Sequence, residues 1–325
     1  MTRGFAFVLS LFVCATALAQ TPVRTKVFPG AQALPLIAGV QQGIFEKHGI
    51  KLELLFTASS QELRDGLASG DFQVAHSAVD NAVAMVEMAK HDVVIVTGGD
   101  SSMNEFFVQP EVKSIADLKG RTVIVDAPNT AYALQAKKIL RMNGVNDSDY
   151  TLKPVGGTLF RYRAMREDKT NAASMLNPPF SVDATATGLK SMGRAVDLIG
   201  PYQATGAFVL RKWASANREL LERYIAAQIE ATRWAVTPAN KDAAAKMLVE
   251  RFKLQPAVAA RTWELLADPK FGLAQDAKFD QAGFRNVLSL RAEIEGSWGG
   301  KAPPPERYVD LSYYEKAVQR AGRGH

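Results

Sequence analysis

The chain has 325 residues, of which 39 are Lys or Arg and 33 are Asp or Glu, so its formal net charge is +6. The charges are interspersed and no long basic run interleaves with aromatic residues, which argues against nucleic-acid binding. With 47% hydrophobic residues and one cysteine, Cys14, a chain of this length can bury a large core without disulfide bonds.

The N-terminus has the pattern of a secretory signal peptide over residues 1–19. Arg3 provides a positive start, residues 5–13 are apolar, and Ala17-Leu18-Ala19 matches a small-x-small cleavage site. The apolar run is too short to span a bilayer as a stable helix. We therefore expect cleavage after Ala19 and a mature protein in the periplasm, or outside the cell in an organism without a periplasm.

Beyond the signal peptide, strands and helices alternate. The strands predicted in the first part of the chain are 23–28, 50–56, 72–76 and 93–97, and the helices between them are 34–47, 60–69 and 79–90. This alternation predicts an α/β fold with a mainly parallel sheet covered by helices on both faces.

The same plan repeats further along the chain. Its predicted strands are 121–126, 151–155, 171–175 and 195–199, and its helices are 130–142, one from Thr158 and a short one after Pro179. After Gly206 the pattern changes to a short strand at 208–210, followed by helices at 214–236, 241–252, 257–267 and 312–321.

Two segments that start 98 residues apart, at Ser60 and at Thr158, follow the same course. Each begins with a hydroxyl residue able to cap a helix, continues for about two helical turns and enters a short apolar strand. We therefore predict two similar lobes that face each other across a cleft. Residues 20–104 and 206–325 would form lobe I, residues 105–205 would form lobe II, and crossings near 104–108 and 203–208 would act as the hinge.

Candidate binding residues lie where predicted parallel strands end, because ligands bind at the carboxyl ends of such strands. The loops there are small and polar, and several open a helix whose N–H groups suit an anionic group. Arg161, early in the helix from Thr158, is the best candidate for a charged contact, with a solvated helix face as the alternative. The predicted ligand-binding set is Phe28, Gln32, Ser59, Ser60, His76, Ser77, Asn129, Thr130, Thr158, Arg161 and Asn177.

A catalytic apparatus is not evident in the sequence. It contains no Gly-x-Ser-x-Gly elbow, no phosphate-binding Gly-x4-Gly-Lys and no dinucleotide fingerprint, and its four histidines lack the spacing of a zinc site. We expect no metal, no cofactor and no enzymatic activity. His76, Ser77 and Asp80 are close in sequence, so an enzyme that uses them stays open as an alternative, although adjacency does not make a triad.

Four segments resemble a known family: GIFEKHGI at 43–50, DLKGRTV at 117–123, ASMLNPP at 173–179 and YVDLSY at 308–313. They are similar to segments of nitrate/sulfonate/taurine-type substrate-binding proteins of ABC importers, a superfamily that includes binders of thiamine-pyrimidine precursors. The resemblance implies a type II periplasmic binding fold, a small-molecule ligand, a monomer, and a permease and ATPase as partners. Pyrimidine-synthesising relatives carry a cysteine-rich segment and a reactive histidine motif that this chain lacks.

The combined expectation is a solute-binding protein that captures a small organic anion, a sulfonate or an aromatic carboxylate, by hinge closure. Asn177-Pro178-Pro179 stands where sulfonate binders often carry an acidic or tryptophan-bearing loop, which counts against alkanesulfonates and taurine. The alternatives are a periplasmic enzyme, a binder of a pyrimidine or thiamine precursor, and a ligand sensor that acts with a membrane receptor.

Overall fold

The computed structural model describes residues 20–101 and 103–322, so the predicted signal peptide lies outside the described residues. Ten strands occur within these residues. They are β1 (Thr21–Val27), β2 (Ile50–Phe56), β3 (Val74–Ala78), β4 (Val93–Ile95), β5 (Glu105–Val108), β6 (Thr122–Val125), β7 (Thr151–Pro154), β8 (Asn171–Leu176), β9 (Lys190–Arg194) and β10 (Thr205–Leu210).

The strands form two five-stranded sheets with the same plan. The first sheet has the order β2-β1-β3-β10-β4 and the second has the order β7-β6-β8-β5-β9. In each sheet one strand, β10 or β5, is antiparallel to both of its neighbours, and the other strands run in one direction. The predicted pair of mainly parallel sheets is confirmed.

Fourteen α-helices cover the sheets within the described part of the chain. They are α1 (Leu34–Gln41), α2 (Ile44–Lys47), α3 (Ser60–Ser69), α4 (Asp80–Glu87), α5 (Ala131–Met142), α6 (Thr158–Glu167), α7 (Phe180–Ala186), α8 (Ala195–Ile199), α9 (Arg211–Ala216), α10 (Arg218–Val236), α11 (Lys241–Phe252), α12 (Pro256–Leu266), α13 (Gln281–Glu295) and α14 (Ser312–Ala321).

Lobe I here means the first sheet with α1–α4 and α9–α14, whose apolar residues share three clusters with the strands of that sheet. Lobe II means the second sheet with α5–α8, which has two clusters of its own. The C-terminal helices thus pack on the first sheet. Among the described residues, no helix combines the length and the apolar character needed to cross a membrane.

Several element predictions were wrong or incomplete: β5 was not predicted, and residues 214–236, predicted as one helix, are divided between α9 and α10 at Asn217. Residues 34–47 form two helices because Gly43, at a φ of +66°, takes the left-handed conformation and ends the first one. Ala195–Ile199 is the helix α8, and the strand β9 precedes it, since Lys190–Arg194 pairs with β5. The helix α13 was not foreseen, although eight of its residues are buried.

The chain passes between the lobes before β5 and before β10, and the two connections are joined to each other. The carbonyl of Asp100 accepts hydrogen bonds from the amides of Ala204 and Thr205 at 3.0 and 3.1 Å. Gly206 follows, where a Cβ atom would lie 2.4 Å from the carbonyl oxygen of Thr97, so the close approach of the connections needs a glycine. The two predicted crossing segments are present, while their action as a hinge and the exact lobe boundaries stay predictions.

Candidate functional site

A cavity of about 620 Å³, counting its open mouth, lies between the lobes where strands of both sheets end. Val27 ends β1, His76 lies on β3, and Asp126 and Asn177 directly follow β6 and β8. Nine of the predicted residues line this cleft. They are Phe28, Gln32, Ser60, His76, Ser77, Thr130, Thr158, Arg161 and Asn177.

The two other predicted residues, Ser59 and Asn129, are absent from the described lining. Ser59 is the N-cap of α3, and its hydroxyl accepts a hydrogen bond from the amide of Glu62. The Asn129 side chain points to Met88, with 3.7 Å between Nδ2 and Sδ. The capping prediction was also misplaced by one residue, because Ser60 and Thr158 are the first residues of their helices and Gly157 is the N-cap of α6.

Sequence reasoning missed other lining residues, among them Asp126, Tyr132, Asn81 and Thr205. Asp126 stands at a strand end, so the rule that selected the other residues could have found it. Tyr132 and Asn81 lie within the first turns of α5 and α4, and no pattern in the sequence distinguishes them from residues that pack in the core.

Arg161 is the only Lys or Arg among the described residues that line the cavity, and it is only 1% exposed. Four hydrogen bonds fix its guanidinium: to the Ser174 and Thr158 hydroxyls at 3.0 Å, and to the carbonyls of Gly156 and Met175 at 2.6 and 3.0 Å. All four acceptors are neutral. The alternative of a solvated helix face is thereby excluded.

The charge of Arg161 has no carboxylate in contact, since no described Asp or Glu oxygen lies within 4.0 Å of its nitrogens. Burial lowers the pKa of the guanidinium, while the nearby Asp126 carboxylate acts in the opposite sense. A guanidinium keeps its proton in proteins, so the cleft wall carries a buried positive charge. The ring of Tyr132 lies beside it, 5.6 Å from the guanidinium carbon.

Two helix N-termini open towards the same wall. In α5, the amide of Thr130 bonds to Ala127 and that of Leu134 bonds to Thr130, and the amides between them have no partner among the described residues. The α6 N-terminus contributes Gly157 and Thr158 to the lining. Free N–H groups and the positive end of a helix dipole favour a bound anion.

Asp126 brings one carboxylate to the cleft and also joins the two lobes. Its Oδ2 accepts a hydrogen bond from the Ser60 amide at the start of α3, over 3.2 Å. Two further bonds connect the rims of the cleft: from the Gly157 amide to the Ala58 carbonyl at 2.9 Å, and from the Ala31 amide to the Pro178 carbonyl at 3.1 Å. The lobes are therefore in contact around the cavity.

His76 lines the lobe I side of the cleft and bonds to a residue of the C-terminal helices. Its Nε2 lies 3.0 Å from the hydroxyl of Tyr224 on α10, which in turn lies 3.1 Å from the hydroxyl of Thr25 on β1. Burial lowers the pKa of His76 to about 3, because the charged imidazolium would lose its hydration. The imidazole is therefore neutral at pH 7.

His76, Ser77 and Asp80 do not form a catalytic constellation. The Ser77 hydroxyl bonds to the Ala78 carbonyl and to the Asn81 amide group, and both carboxylate oxygens of Asp80 accept from Arg291. Each of the three side chains is thus committed to a different partner. Within residues 20–101 and 103–322, no cluster of three or more His, Cys, Asp or Glu side chains could hold a metal ion.

Comparison with known proteins assigns the family. The NMT1/THI5-like family model matches residues 31–241, which is more than half of the chain. A protein of Brachyspira hyodysenteriae with the provisional name ABC transporter periplasmic binding protein is 24% identical over 228 residues. That match covers 65% of this chain and 64% of the relative, so the chain matches slightly less than two thirds of the relative's length.

Solved structures share the fold across nearly the whole chain. A Bordetella bronchiseptica protein superposes with a TM-score of 0.81 at 20% identity, covering 94% of this chain and 99% of that one. For the periplasmic nitrate-binding protein NrtA of Synechocystis the TM-score is 0.76 at 15% identity, with 93% and 89% covered. For the alkanesulfonate-binding protein SsuA of Xanthomonas axonopodis, bound to MOPS, the TM-score is 0.69 at 15% identity, and the match covers 91% of this chain and 99% of that one. The chain therefore belongs to the NMT1/THI5-like family and has the fold of ABC-type periplasmic substrate-binding proteins.

Proposed function

We propose that this chain is the substrate-binding protein of an ABC importer in the periplasm, and that it captures a small organic acid between its lobes by hinge closure. The acid would be a sulfonate or an aromatic carboxylate, and the partners would be a permease and an ATPase. Relatives named for nitrate and sulfonate binding support the general role. We further propose that the chain acts as a monomer without cofactor or metal and is not an enzyme.

The observation that carries the ligand class is the buried Arg161. A charge taken out of water is costly unless another charge or well-placed hydrogen bonds compensate for it. Here four neutral acceptors hold the guanidinium, and no carboxylate of residues 20–101 or 103–322 touches it. An acidic group in the cleft, at the N-termini of α5 and α6, would supply a counter-charge in direct contact with Arg161, which Asp126 does not. The Phe28 and Tyr132 rings would contact the apolar part of the ligand.

Hinge closure is supported by the bonds at the cleft rim. The Gly157–Ala58 and Ala31–Pro178 backbone bonds and the Ser60–Asp126 bond must break for the lobes to separate and admit a ligand. A ligand that touches both lobes would restore the closed state by its differential affinity for that state. The protein would then present one surface to the importer when it holds a ligand and a different surface when it is empty.

A thermal-shift screen tests the ligand class. We expect benzoate or benzenesulfonate to raise the melting temperature, and the neutral analogues benzamide and benzenesulfonamide to leave it unchanged. A ligand at 100 times its dissociation constant stabilises a protein by about 2.7 kcal/mol. An aminopyrimidine that raises the melting temperature while both acids fail would favour the precursor-binding alternative. Recovery of the bound acid unaltered after incubation would exclude its conversion.

A further inference from the structure

The hydrogen-bonded chain Thr25–Tyr224–His76 determines which ring nitrogen of His76 carries the proton. Thr25 and Tyr224 are fully buried, and the distances along the chain are 3.1 Å between the two hydroxyls and 3.0 Å from Tyr224 to Nε2. Neither residue has a further side-chain hydrogen bond among the described residues. The two hydroxyl hydrogens and the one N–H of the neutral imidazole have two contacts to fill, Thr25–Tyr224 and Tyr224–Nε2. Nδ1 of His76 has no hydrogen-bond partner among the described residues.

Only one distribution uses both hydroxyl hydrogens. Thr25 donates to the Tyr224 oxygen, and Tyr224 donates to Nε2 of His76, which accepts. In the reverse direction Nε2–H would donate to Tyr224 and Tyr224 to Thr25, and the Thr25 hydrogen would be buried without an acceptor. An unsatisfied buried donor costs about 1–3 kcal/mol, so the first arrangement is favoured.

We propose that Tyr224 holds His76 as a neutral imidazole protonated at Nδ1, so that His76 offers the cleft one N–H donor for an acceptor oxygen of the ligand and no positive charge. Tyr224 is a positioning residue in this scheme, because it acts through His76. The part of the proposal that concerns the ligand rests on the proposed function, while the tautomer does not.

The surroundings of the ring agree with this assignment. The Tyr224 ring packs against His76 and Phe45, with centroids 6.1 and 5.5 Å apart, so the hydroxyl is held in place by apolar packing. The side chains that bond to Tyr224 are uncharged, and no carboxylate in the described part of the chain contacts His76 to stabilise an imidazolium. Positive charge in the cleft is therefore left to Arg161, and His76 adds directional selectivity for an acceptor.

Nitrogen-15 NMR of the histidine rings tests the tautomer in the protein without ligand. The His76 signals are identified by their loss in His76→Gln, and long-range proton–nitrogen correlations distinguish Nδ1–H from Nε2–H. We expect Nδ1–H in the wild type and a shift of the population towards Nε2–H in Tyr224→Phe. The control Tyr308→Phe removes another buried tyrosine hydroxyl, one that bonds to Glu87, and should leave the His76 tautomer unchanged.

Titration with benzoate tests the ligand contact. Tyr224→Phe should weaken benzoate binding by about three- to tenfold, the effect of one lost or misdirected hydrogen bond, and Tyr308→Phe should bind as the wild type does. Nε2–H in the wild type, or an unchanged tautomer in Tyr224→Phe, would overturn the proposal. A changed tautomer with unchanged benzoate affinity would overturn its ligand-facing part. If the wild type holds Nδ1–H but binds no acid, the proposed function fails and the assignment of His76 stands.

Discussion

Replacing Arg161 with methionine should weaken binding of an organic acid such as benzoate well over tenfold. Methionine fills part of the same space but removes the buried charge, and truncating a desolvated charged partner costs roughly 2–5 kcal/mol of binding free energy. The same change leaves the Gly156 and Met175 carbonyls and the Ser174 hydroxyl without their donor. We therefore also expect the free energy of unfolding to fall by roughly 2–5 kcal/mol.

Two further variants separate charge from structure. Arg161→Lys keeps the charge but cannot form all four bonds, so it should lose stability as Arg161→Met does while retaining more affinity for benzoate. Arg163→Ala removes an exposed arginine from the same helix and should change neither quantity. Isothermal titration below the melting temperature of each variant gives the comparison. A folded Arg161→Met protein that binds benzoate as tightly as the wild type would remove Arg161 from the site.

Replacing Asp80 with asparagine should lower the free energy of unfolding by roughly 3–5 kcal/mol, because it leaves a buried guanidinium without its counter-charge. Asp80 and Arg291 are 2% and 3% exposed, and they form two hydrogen bonds of 2.8 and 2.7 Å. Arg291 also donates to the Asn129 carbonyl of lobe II at 2.9 Å. The pair thus stabilises lobe I and contacts the second lobe.

A double-variant cycle measures this pair by urea denaturation. Removing both charges, in Asp80→Asn with Arg291→Met, should cost less than the sum of these two single changes, since neither charge is then left alone. The exposed pair Arg194–Asp197 is the control, and Asp197→Ala should change stability by less than about 1 kcal/mol. If Asp80→Asn stays within about 1 kcal/mol of the wild type, the pair is not the stabilising contact that its geometry indicates.

The architecture could be predicted because strand and helix patterns are local. Alternation of short apolar runs with helical segments indicated two mainly parallel sheets, and the rule that ligands bind at strand ends selected nine residues that line the cleft. The prediction of a strand at 195–199 was wrong. Ala195–Ile199 is as apolar as a strand but forms a helix, and the segment that pairs with β5 is Lys190–Arg194.

The chemistry of the site could not be predicted to the same depth, because it depends on contacts between distant segments. Arg161 is 1% exposed while the neighbouring Phe160 is 37% exposed, the reverse of what hydrophobicity alone predicts for this helix. Tyr224 reaches His76 across 148 residues of sequence, and no local pattern marks it. Which face of a helix is buried depends on the packing of the lobes, which periodicity does not specify.

We expect the acidic group of a ligand to bind beside Arg161 at the N-termini of α5 and α6. A crystal structure of the protein grown with saturating benzoate, or with benzenesulfonate if only that binds, would show where the acid lies. We predict that the carboxylate or sulfonate lies against Arg161, Thr158 and the first amides of α5, with its apolar part near Phe28 and Tyr132. An acid bound with its charged group away from Arg161, or bound outside the cleft, would contradict the account.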